Sequence, residues 1–286
     1  MYEQVRKDHP HLSLSSFARE ADIPVWRLRD ARQQEKHRVE REKRRCARQE
    51  RIREMALHYP TCGYRRIHHL LRQEAKKTGQ TCPGRHEVRL TLVELQLSPP
   101  AAKKARRRVP GVVPATLWPM GRRVQIDATR FALRDGISWA YIVLDVETRA
   151  VLNVYVVRSL SASSAVTALR GGVEKLKKLG IEESLVVMSD GGSDFTSHEF
   201  KAACEEVGTW VRAKVSQLGG MCILERVNRT LKYEFIFREE PQTKAELSAL
   251  CAEFRTWYNI VRPHSALGYG YPWAKLLEVA ESLKAA

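Results

Sequence analysis

The chain has 286 residues, 43% of them hydrophobic, which suffices for one or two domains with a buried core and excludes a disordered or fibrous protein. No run approaches the roughly 18 apolar residues of a membrane span, and the first thirty residues carry charges where a secretion signal is apolar, so we expect a soluble, cytoplasmic protein. Residues 1–117 hold 27 Lys and Arg against 13 Asp and Glu, a net charge of +14 out of +16. A block this basic repels itself unless a polyanion binds it, which predicts a nucleic-acid partner.

The first part of the chain is predicted to be helical. Two short apolar stripes on either side of a break at Pro24 predict a helix-turn-helix. A dense mixture of Arg, Lys, Glu and Gln follows, which is typical of an exposed helical connector. A second compact unit, whose first helix begins near Gly63, predicts another DNA-binding module in which Arg65 and Arg66 contact DNA. The predicted segments are the helix-turn-helix at 1–35, the connector at 36–56 and the second module at 57–98.

A basic linker over residues 99–117 is predicted to separate these modules from the rest of the chain. Its prolines, glycine and clustered cations cannot form a core. We expect five of its cations to contact DNA: Lys103, Lys104, Arg106, Arg107 and Arg108.

The six cysteines are scattered along the chain and form no Cys-x-x-Cys pair. This spacing indicates neither a disulfide framework nor a zinc knuckle. We therefore expect free thiols and no zinc.

The second part of the chain, residues 118–272, is predicted to be an α/β core followed by a tail at 273–286. Strand candidates at 124–133, 137–146 and 150–157 are joined by short turns, which predicts an antiparallel meander. A helix, a short buried strand, a second helix, a fifth strand and two helices follow. This order predicts a ribonuclease H-like core with a mixed five-stranded sheet, preceded by small all-α modules.

Three acidic residues are candidates for a metal-dependent active site in this core. Phosphoryl transfer from DNA to a hydroxyl can be driven by two divalent metals, and Mg²⁺ prefers carboxylate ligands. Asp127 lies in the first strand, Asp190 follows the fourth strand, and Glu225 lies near the start of the helix after the fifth strand. In this topology the first and fourth strands are neighbours and that helix crosses their edge. We therefore expect the three carboxylates to meet.

The helix that contains Glu225 presents further polar side chains on the same face. At i+3, i+4 and i+7 along this helix lie Asn228, Arg229 and Lys232. A carboxylate followed by an amide and two cations suits a DNA end. The alternative is a solvent-exposed helix with an ordinary Glu–Arg pair.

Other polar residues compete for a place in the site. Asp145 precedes a predicted hairpin turn and is assigned to that turn, as is typical of Asp in turns. Asp135 lies in the preceding hairpin turn, and Asp194 is assigned to the loop around Asp190. The sequence Arg-Pro-His at 262–264 is interpreted as a structural turn or a DNA contact, not as part of the catalytic set.

Several motifs, in this order, resemble the superfamily of DDE transposases and retroviral integrases. They are the spacing of Asp127, Asp190 and Glu225, the run Ser-Asp-Gly-Gly-Ser-Asp-Phe-Thr-Ser at 189–197, the stretch at 225–234 and the segment at 258–269. The last two are similar to bacterial insertion-sequence transposases of the integrase-like kind, and the run Gly-Tyr-Arg-Arg-Ile at 63–67 resembles the helix-turn-helix ahead of the core there. The resemblance covers about residues 12–272. The chain departs from the family pattern at Val124, where the family has Trp, and at 221–224.

The resemblance implies a transposase that binds the terminal inverted repeats of a mobile element through residues 1–117. It implies cleavage and strand transfer with two Mg²⁺ ions, for which Mn²⁺ substitutes. Asp127, Asp190 and Glu225 would hold the metals, and Lys232 would hold a phosphate near the transferred end. The implied partners are double-stranded DNA and further copies of the chain in a synaptic complex on the bacterial nucleoid.

The sequence leaves three matters open. An upstream partner protein could be required. A structure-selective nuclease of the same fold would share the carboxylates. A catalytically inactive, domesticated DNA-binding regulator would keep the basic block, and the unusual residues 221–224 are its best support.

Overall fold

The computed structural model describes residues 2–99, 121–213 and 221–285. The chain divides into two compact units, within residues 1–102 and 103–286. The five cations of the predicted linker lie outside the described residues. Within the described part of the chain, no helix is both long and apolar enough to cross a membrane.

The described residues of the first unit form helices joined by short turns. Ser13 caps α2 (Leu14–Glu20), because its hydroxyl accepts a 3.0 Å hydrogen bond from the backbone N–H of Ser16. The predicted break is present, since α2 ends before it and the next helix begins directly after Pro24. The helices are α1 (Tyr2–Asp8), α2 (Leu14–Glu20), α3 (Val25–His58), α4 (Tyr64–Thr78) and α5 (Arg85–Glu94).

Helix α3 differs from the predicted segmentation. It runs unbroken for 34 residues through the predicted boundaries at 35/36 and 56/57, because the charged segment contains no Gly or Pro that would end it. Ile52 and Ala56, one helical turn apart near the end of α3, are buried against the core of the second module. Two buried residues that precede the predicted start of the module at residue 57 thus pack in its core. Its core also contains Cys62, Ile67, Leu71, Val88 and Leu92.

The second unit is built on a mixed five-stranded sheet. Its strands are β1 (Arg122–Leu133), β2 (Gly136–Asp145), β3 (Val151–Val157), β4 (Leu185–Ser189) and β5 (Gly208–Arg212). The strand order is β3-β2-β1-β4-β5. The first three strands form an antiparallel meander, whereas β4 pairs parallel with β1 and β5 pairs parallel with β4. This is the ribonuclease H-like topology that the order of elements predicts.

Helices cover both faces of this sheet. Three of these helices begin after a Ser or Thr whose side chain caps them, as is common at helix starts. The capped helices are α6 (Ala162–Lys178, after Ser161), α8 (His198–Glu205, after Ser197) and α11 (Lys244–Thr256, after Thr243). The helix containing Glu225 changes to a π-helical segment over Thr230–Ile236, and a second π-helical segment, Trp257–Val261, follows α11. The helices are α6 (Ala162–Lys178), α7 (Ser193–Thr196), α8 (His198–Glu205), α9 (Cys222–Arg229), α10 (Phe237–Glu239), α11 (Lys244–Thr256) and α12 (Pro272–Ala285).

The two faces of the sheet carry separate cores because strand side chains alternate. Tyr141 and Val143 of β2 pack in a cluster that includes residues of α6, α8 and α12. Ile142 and Leu144, the alternating neighbours, pack in a second cluster with residues of α9 and α11. Since β2 is buried on both faces, its sequence is a continuous apolar run.

Candidate active site

The parallel register of β1 and β4 brings the two candidate aspartates to the same edge of the sheet. Gln125 of β1 pairs with Met188 of β4. Asp127 and Asp190 each follow two residues later along the chain. In a parallel pair both strands run in the same direction, so Asp127 and Asp190 lie side by side just beyond the last β1–β4 pair.

Asp127 is held in place by two hydrogen bonds. The N–H of Ala128 donates to Oδ1 at 2.9 Å, and Nδ2 of Asn228 donates to Oδ2 at 2.7 Å. The pKa of Asp127 is nevertheless raised from its ordinary value of 3.8 to about 6, first because burial penalises the charged carboxylate and second because Asp190 repels it. The charge of Glu225 adds a smaller repulsion. Asp190 and Glu225 therefore both lie close enough to Asp127 for their charges to act on it.

Asp190 is exposed in the turn that follows β4. Its Oδ1 accepts a 2.9 Å hydrogen bond from the N–H of Gly192. A Cβ at Gly192 would lie 3.2 Å from that same Oδ1 and 2.6 Å from Oδ1 of Asp194. Glycine at this position thus lets the backbone turn tightly under Asp190.

Glu225 is exposed in the first turn of α9, and the residue before it anchors the helix. The N–H of Leu224 donates a 3.1 Å hydrogen bond to Oε1 of the buried Gln125, and the Leu224 side chain is fully buried. Met221 and Ile223 pack at the border of the same core. The departure from the family pattern at 221–224 therefore coincides with residues that pack α9 against the sheet.

The donor set suits a divalent metal, although it is not assembled into a finished site. Among residues 2–99, 121–213 and 221–285, no three His, Cys, Asp or Glu side chains are grouped so that they could hold an ion as they stand. Carboxylates are the ligands that Mg²⁺ prefers, and a bound cation relieves the mutual repulsion that raises the pKa of Asp127. Within the described part of the chain, Oδ1 of Asn228 is buried without a hydrogen-bond partner. Buried acceptors of this kind are normally satisfied by a water molecule or a bound ion.

Lys232 lies beside this site, in the π-helical segment after α9. Its Nζ is 5.4 Å from the centre of the Phe131 ring. Burial lowers the pKa of Lys232, while the charge of Asp127 acts in the opposite direction. Asn228 and Lys232 thus both face Asp127, whereas Arg229 is exposed at the end of α9. π-Helical turns are rare in proteins, and those that occur are often found at functional sites.

The competing carboxylates have structural partners. Asp145 ends β2, accepts a 2.9 Å hydrogen bond from the N–H of Thr148 in the turn, and pairs at 2.8 Å with the buried Arg122. Asp194 accepts a 2.6 Å hydrogen bond from the hydroxyl of Tyr141. Both aspartates are fully or almost fully buried. Asp135 belongs to a turn, where it accepts a 2.9 Å hydrogen bond from Arg158.

The Arg-Pro-His motif connects the end of the core to neighbouring elements. Arg262 makes two 2.8 Å hydrogen bonds to the carboxylate of Glu234, in the bidentate geometry that favours Arg. Asn259, just upstream, bonds both the N–H and the C=O of Val151 on β3 at 2.9 and 2.8 Å. Of the two interpretations left open for this motif, the structure supports a structural role.

In the first unit, the beginnings of α4 and α5 bring cations together. The pKa of Tyr64 is lowered by a hydrogen bond from Arg65 and by the charges of Arg65, Arg89 and Arg85. Arg85 and Arg89 have no ion pair with any described residue. Sequence analysis missed both arginines, although their i,i+4 spacing on α5 places them on one helix face.

Known proteins resemble the second unit. Two family models, both described as integrase core domain, match residues 120–215 and 222–272. No curated protein matches the sequence. Among solved structures, the HTLV-2 integrase catalytic core domain in complex with magnesium is 16% identical with a TM-score of 0.42 and covers 54% of this chain and 94% of its own.

Two further structures are similar at comparable levels. The BIV integrase catalytic core domain is 19% identical with a TM-score of 0.43, covering 58% of this chain and 99% of its own. The simian T-cell lymphotropic virus intasome is 17% identical with a TM-score of 0.44, covering 71% of this chain and 73% of its own. The matched family regions contain the sheet and α9, and with them Asp127, Asp190 and Glu225. By these two family models, residues 120–215 and 222–272 belong to an integrase core domain.

Proposed function

We propose that this protein is a DNA transposase that binds the terminal inverted repeats of a mobile element and carries out metal-dependent strand cleavage and strand transfer. The observation that carries the proposal is the parallel register of β1 and β4, which brings Asp127 and Asp190 to one edge of the sheet in a region matched by an integrase core domain model. Glu225 of α9 lies close enough for its charge to act on Asp127. Carboxylates held this close repel one another, and a bound divalent cation would relieve that repulsion.

Asp127, Asp190 and Glu225 are the proposed ligands of two Mg²⁺ ions, with Mn²⁺ as a substitute. When bound, the ions supply charge stabilisation at the reacting phosphate and lower the pKa of the attacking hydroxyl or water. Asn228 orients Asp127 through its 2.7 Å hydrogen bond. Lys232 holds a phosphate of the transferred end, because its ammonium lies beside Asp127, 5.4 Å from the centre of the Phe131 ring, and forms no ion pair with any residue that the structure describes.

The proposed chemistry consists of two displacements at phosphorus. In the first, a water oxygen bonds to the phosphorus at the element end, the bond to the 3′ oxygen breaks, and a 3′ hydroxyl and a 5′ phosphate result. In the second, that 3′ hydroxyl loses its proton to solvent and its oxygen bonds to a phosphorus of the target strand. The bond from this phosphorus to the target's 3′ oxygen breaks, and the released oxygen takes up a proton from solvent to become a 3′ hydroxyl. No covalent protein–DNA intermediate is required.

The first unit and the linker are the proposed element-end binders. Arg65, Arg66, Arg85 and Arg89 lie at the beginnings of α4 and α5. Phosphate contacts of this kind supply affinity and fix the protein on the duplex. Further copies of the chain would hold two ends in a synaptic complex on the nucleoid, with or without an upstream partner protein.

The experiment uses the full chain with duplexes from the DNA flanking its gene, in Mg²⁺ and in Mn²⁺. Wild type is expected to cleave and join ends. Asp127→Asn, Asp190→Asn and Glu225→Gln are expected to lose both steps by orders of magnitude and to keep end binding. The matched control is Glu174→Gln, which removes one carboxylate from an exposed pair with Lys178.

The same experiment separates the alternatives. Cleavage of branched or flapped DNA without joining would identify a structure-selective nuclease. End binding without either step in both metals would identify a catalytically inactive regulator. Equal activity of Asp127→Asn and wild type would contradict the proposed site.

A further inference from the structure

Arg212 lies at the same edge of the sheet as the candidate carboxylates. It is the last residue of β5 and pairs with Ser189, the last residue of β4, in the parallel register. Asp190 is the next residue after Ser189. Neighbouring strands are about 4.8 Å apart, so the backbone of Arg212 lies one strand away from the start of the Asp190 turn.

The guanidinium of Arg212 lies against the backbone of Gly191. A Cβ built on Gly191 would be 2.8 Å from both Cζ and Nε of Arg212. Contacts this short do not occur, so any side chain at 191 would displace the guanidinium. Glycine at this position therefore allows Arg212 to lie over the turn that carries Asp190.

The charge of Arg212 is not neutralised by the described residues. Arg212 is exposed and has no ion pair or hydrogen bond to any of them through its side chain. The following residues, 214–220, contain no Asp or Glu. A guanidinium beside a candidate metal ligand, but without an ion pair to it, can offer its planar set of donors to a phosphate.

Arg212 and Lys232 flank the two aspartates on opposite sides. Across the sheet, β1 carries Asp127, β4 leads to Asp190, and β5 ends at Arg212. Lys232 lies at the β1 end of this row of three strands, next to Phe131 of β1, whereas Arg212 lies at the β5 end. Strand transfer brings two DNA molecules to one site, and each must present a phosphate.

We infer that Arg212, seated on Gly191, binds a phosphate of the target DNA beside Asp190, while Lys232 faces the element end. The inference rests on the proposed function, since only a strand-transfer enzyme needs a second DNA at this site. It assigns a phosphate-binding site to the β5 side of the carboxylates.

The first test measures binding without divalent metal, so that no reaction occurs. The probes are a linear element-end duplex and a branched DNA in which one 3′ end of that duplex is joined to the middle of a second duplex. Arg212→Ala is expected to bind the branched DNA about tenfold more weakly than wild type, the effect of one lost charged contact. Affinity for the linear end should not change, and Arg212→Lys should lie between. The control Arg170→Ala removes one exposed arginine from a surface pair with Glu206 and should bind both probes like wild type.

The second test uses the contact with Gly191. Gly191→Ala keeps the charge but displaces the guanidinium, so it should weaken binding of the branched DNA as Arg212→Ala does. Combined with Arg212→Ala it should add little, because both changes disrupt one contact. Additive effects of the two variants would contradict the proposed geometry.

A catalytic readout separates this inference from the function on which it rests. With precleaved ends, Arg212→Ala should raise the target concentration needed for half-maximal joining, while hydrolysis of uncleaved ends stays near wild type. Equal branched-DNA affinity of Arg212→Ala and wild type would overturn the Arg212 assignment and leave the transposase proposal standing if wild type still cleaves and joins. Failure of wild type to do either would overturn the transposase proposal itself.

Discussion

The buried ion pair between Arg122 and Asp145 gives a prediction that distinguishes structural from catalytic aspartates. Both side chains are almost completely buried, at 1% and 0% exposure, with 2.8 Å between Nη2 and Oδ2. Asp145→Asn keeps the shape of the side chain but leaves the guanidinium without its buried counter-ion. Removing one partner of a buried pair costs about 3–5 kcal/mol.

Two other carboxylates reduce that penalty. Glu183 and Glu147 lie 3.3 and 3.5 Å from Nη1 of Arg122, but they are 42% and 64% exposed and solvent screens them. We therefore expect the lower end of the range, about 3 kcal/mol. For a protein of this size each kcal/mol shifts Tm by about 2–4 °C, so Asp145→Asn should unfold roughly 6–12 °C below wild type.

The assay is thermal unfolding of the full chain, followed by circular dichroism, together with the strand-transfer assay at a temperature where both proteins are folded. Asp145→Asn should be less stable but retain activity, whereas Asp127→Asn should be inactive. The double variant Arg122→Met with Asp145→Leu removes both charges and should recover most of the lost stability. A Tm within about 2 °C of wild type together with loss of activity would refute this reasoning and place Asp145 in the catalytic set.

Three further predictions concern the site and its support. The pKa of Asp127 is raised from 3.8 to about 6 in the folded protein, so between these pH values the folded state binds more protons than the unfolded state and stability falls as pH rises. At pH 7 without metal, Asp127→Asn should therefore have a free energy of unfolding up to about 3 kcal/mol higher than wild type. An unchanged free energy of unfolding at pH 7 would contradict this prediction. Asn259→Ala leaves the N–H and C=O of Val151 without their side-chain partner, so the free energy of unfolding in urea should fall by about 2–3 kcal/mol while DNA affinity is unchanged. A loss of DNA affinity in the folded variant would instead indicate that Asn259 contacts DNA directly. Lys232→Ala should weaken joining of cognate ends and flatten discrimination against scrambled ends, and Lys232→Arg should retain more function; unchanged use of cognate ends by Lys232→Ala would exclude the role.

The amino-acid sequence by itself predicts the order of the strands and helices, and it predicts where all three candidate carboxylates lie in that order. Period-two alternation and continuous apolar runs mark the five strands, because each strand must bury one or both faces. Asp127 and Asp190 stand out since each carboxylate interrupts or ends such a run. Their approach to one another follows from the parallel pairing of β1 with β4, which the order of elements already implies.

Other features depend on long-range contacts that no local pattern contains. Arg122 begins a strand and reads as an exposed cation, yet it is buried because Asp145, across the antiparallel pair, supplies its counter-ion. Arg262 and Glu234 are 28 residues apart and meet only through the packing of two π-helical segments.

The position of Arg212 over Gly191 likewise requires the observed β4–β5 register.

The hydrophobic pattern determines which residues enter the core, because burial of apolar area depends on local periodicity. Tertiary structure decides which charges become partners, because a charge finds its counter-ion through three-dimensional proximity and not through spacing along the chain.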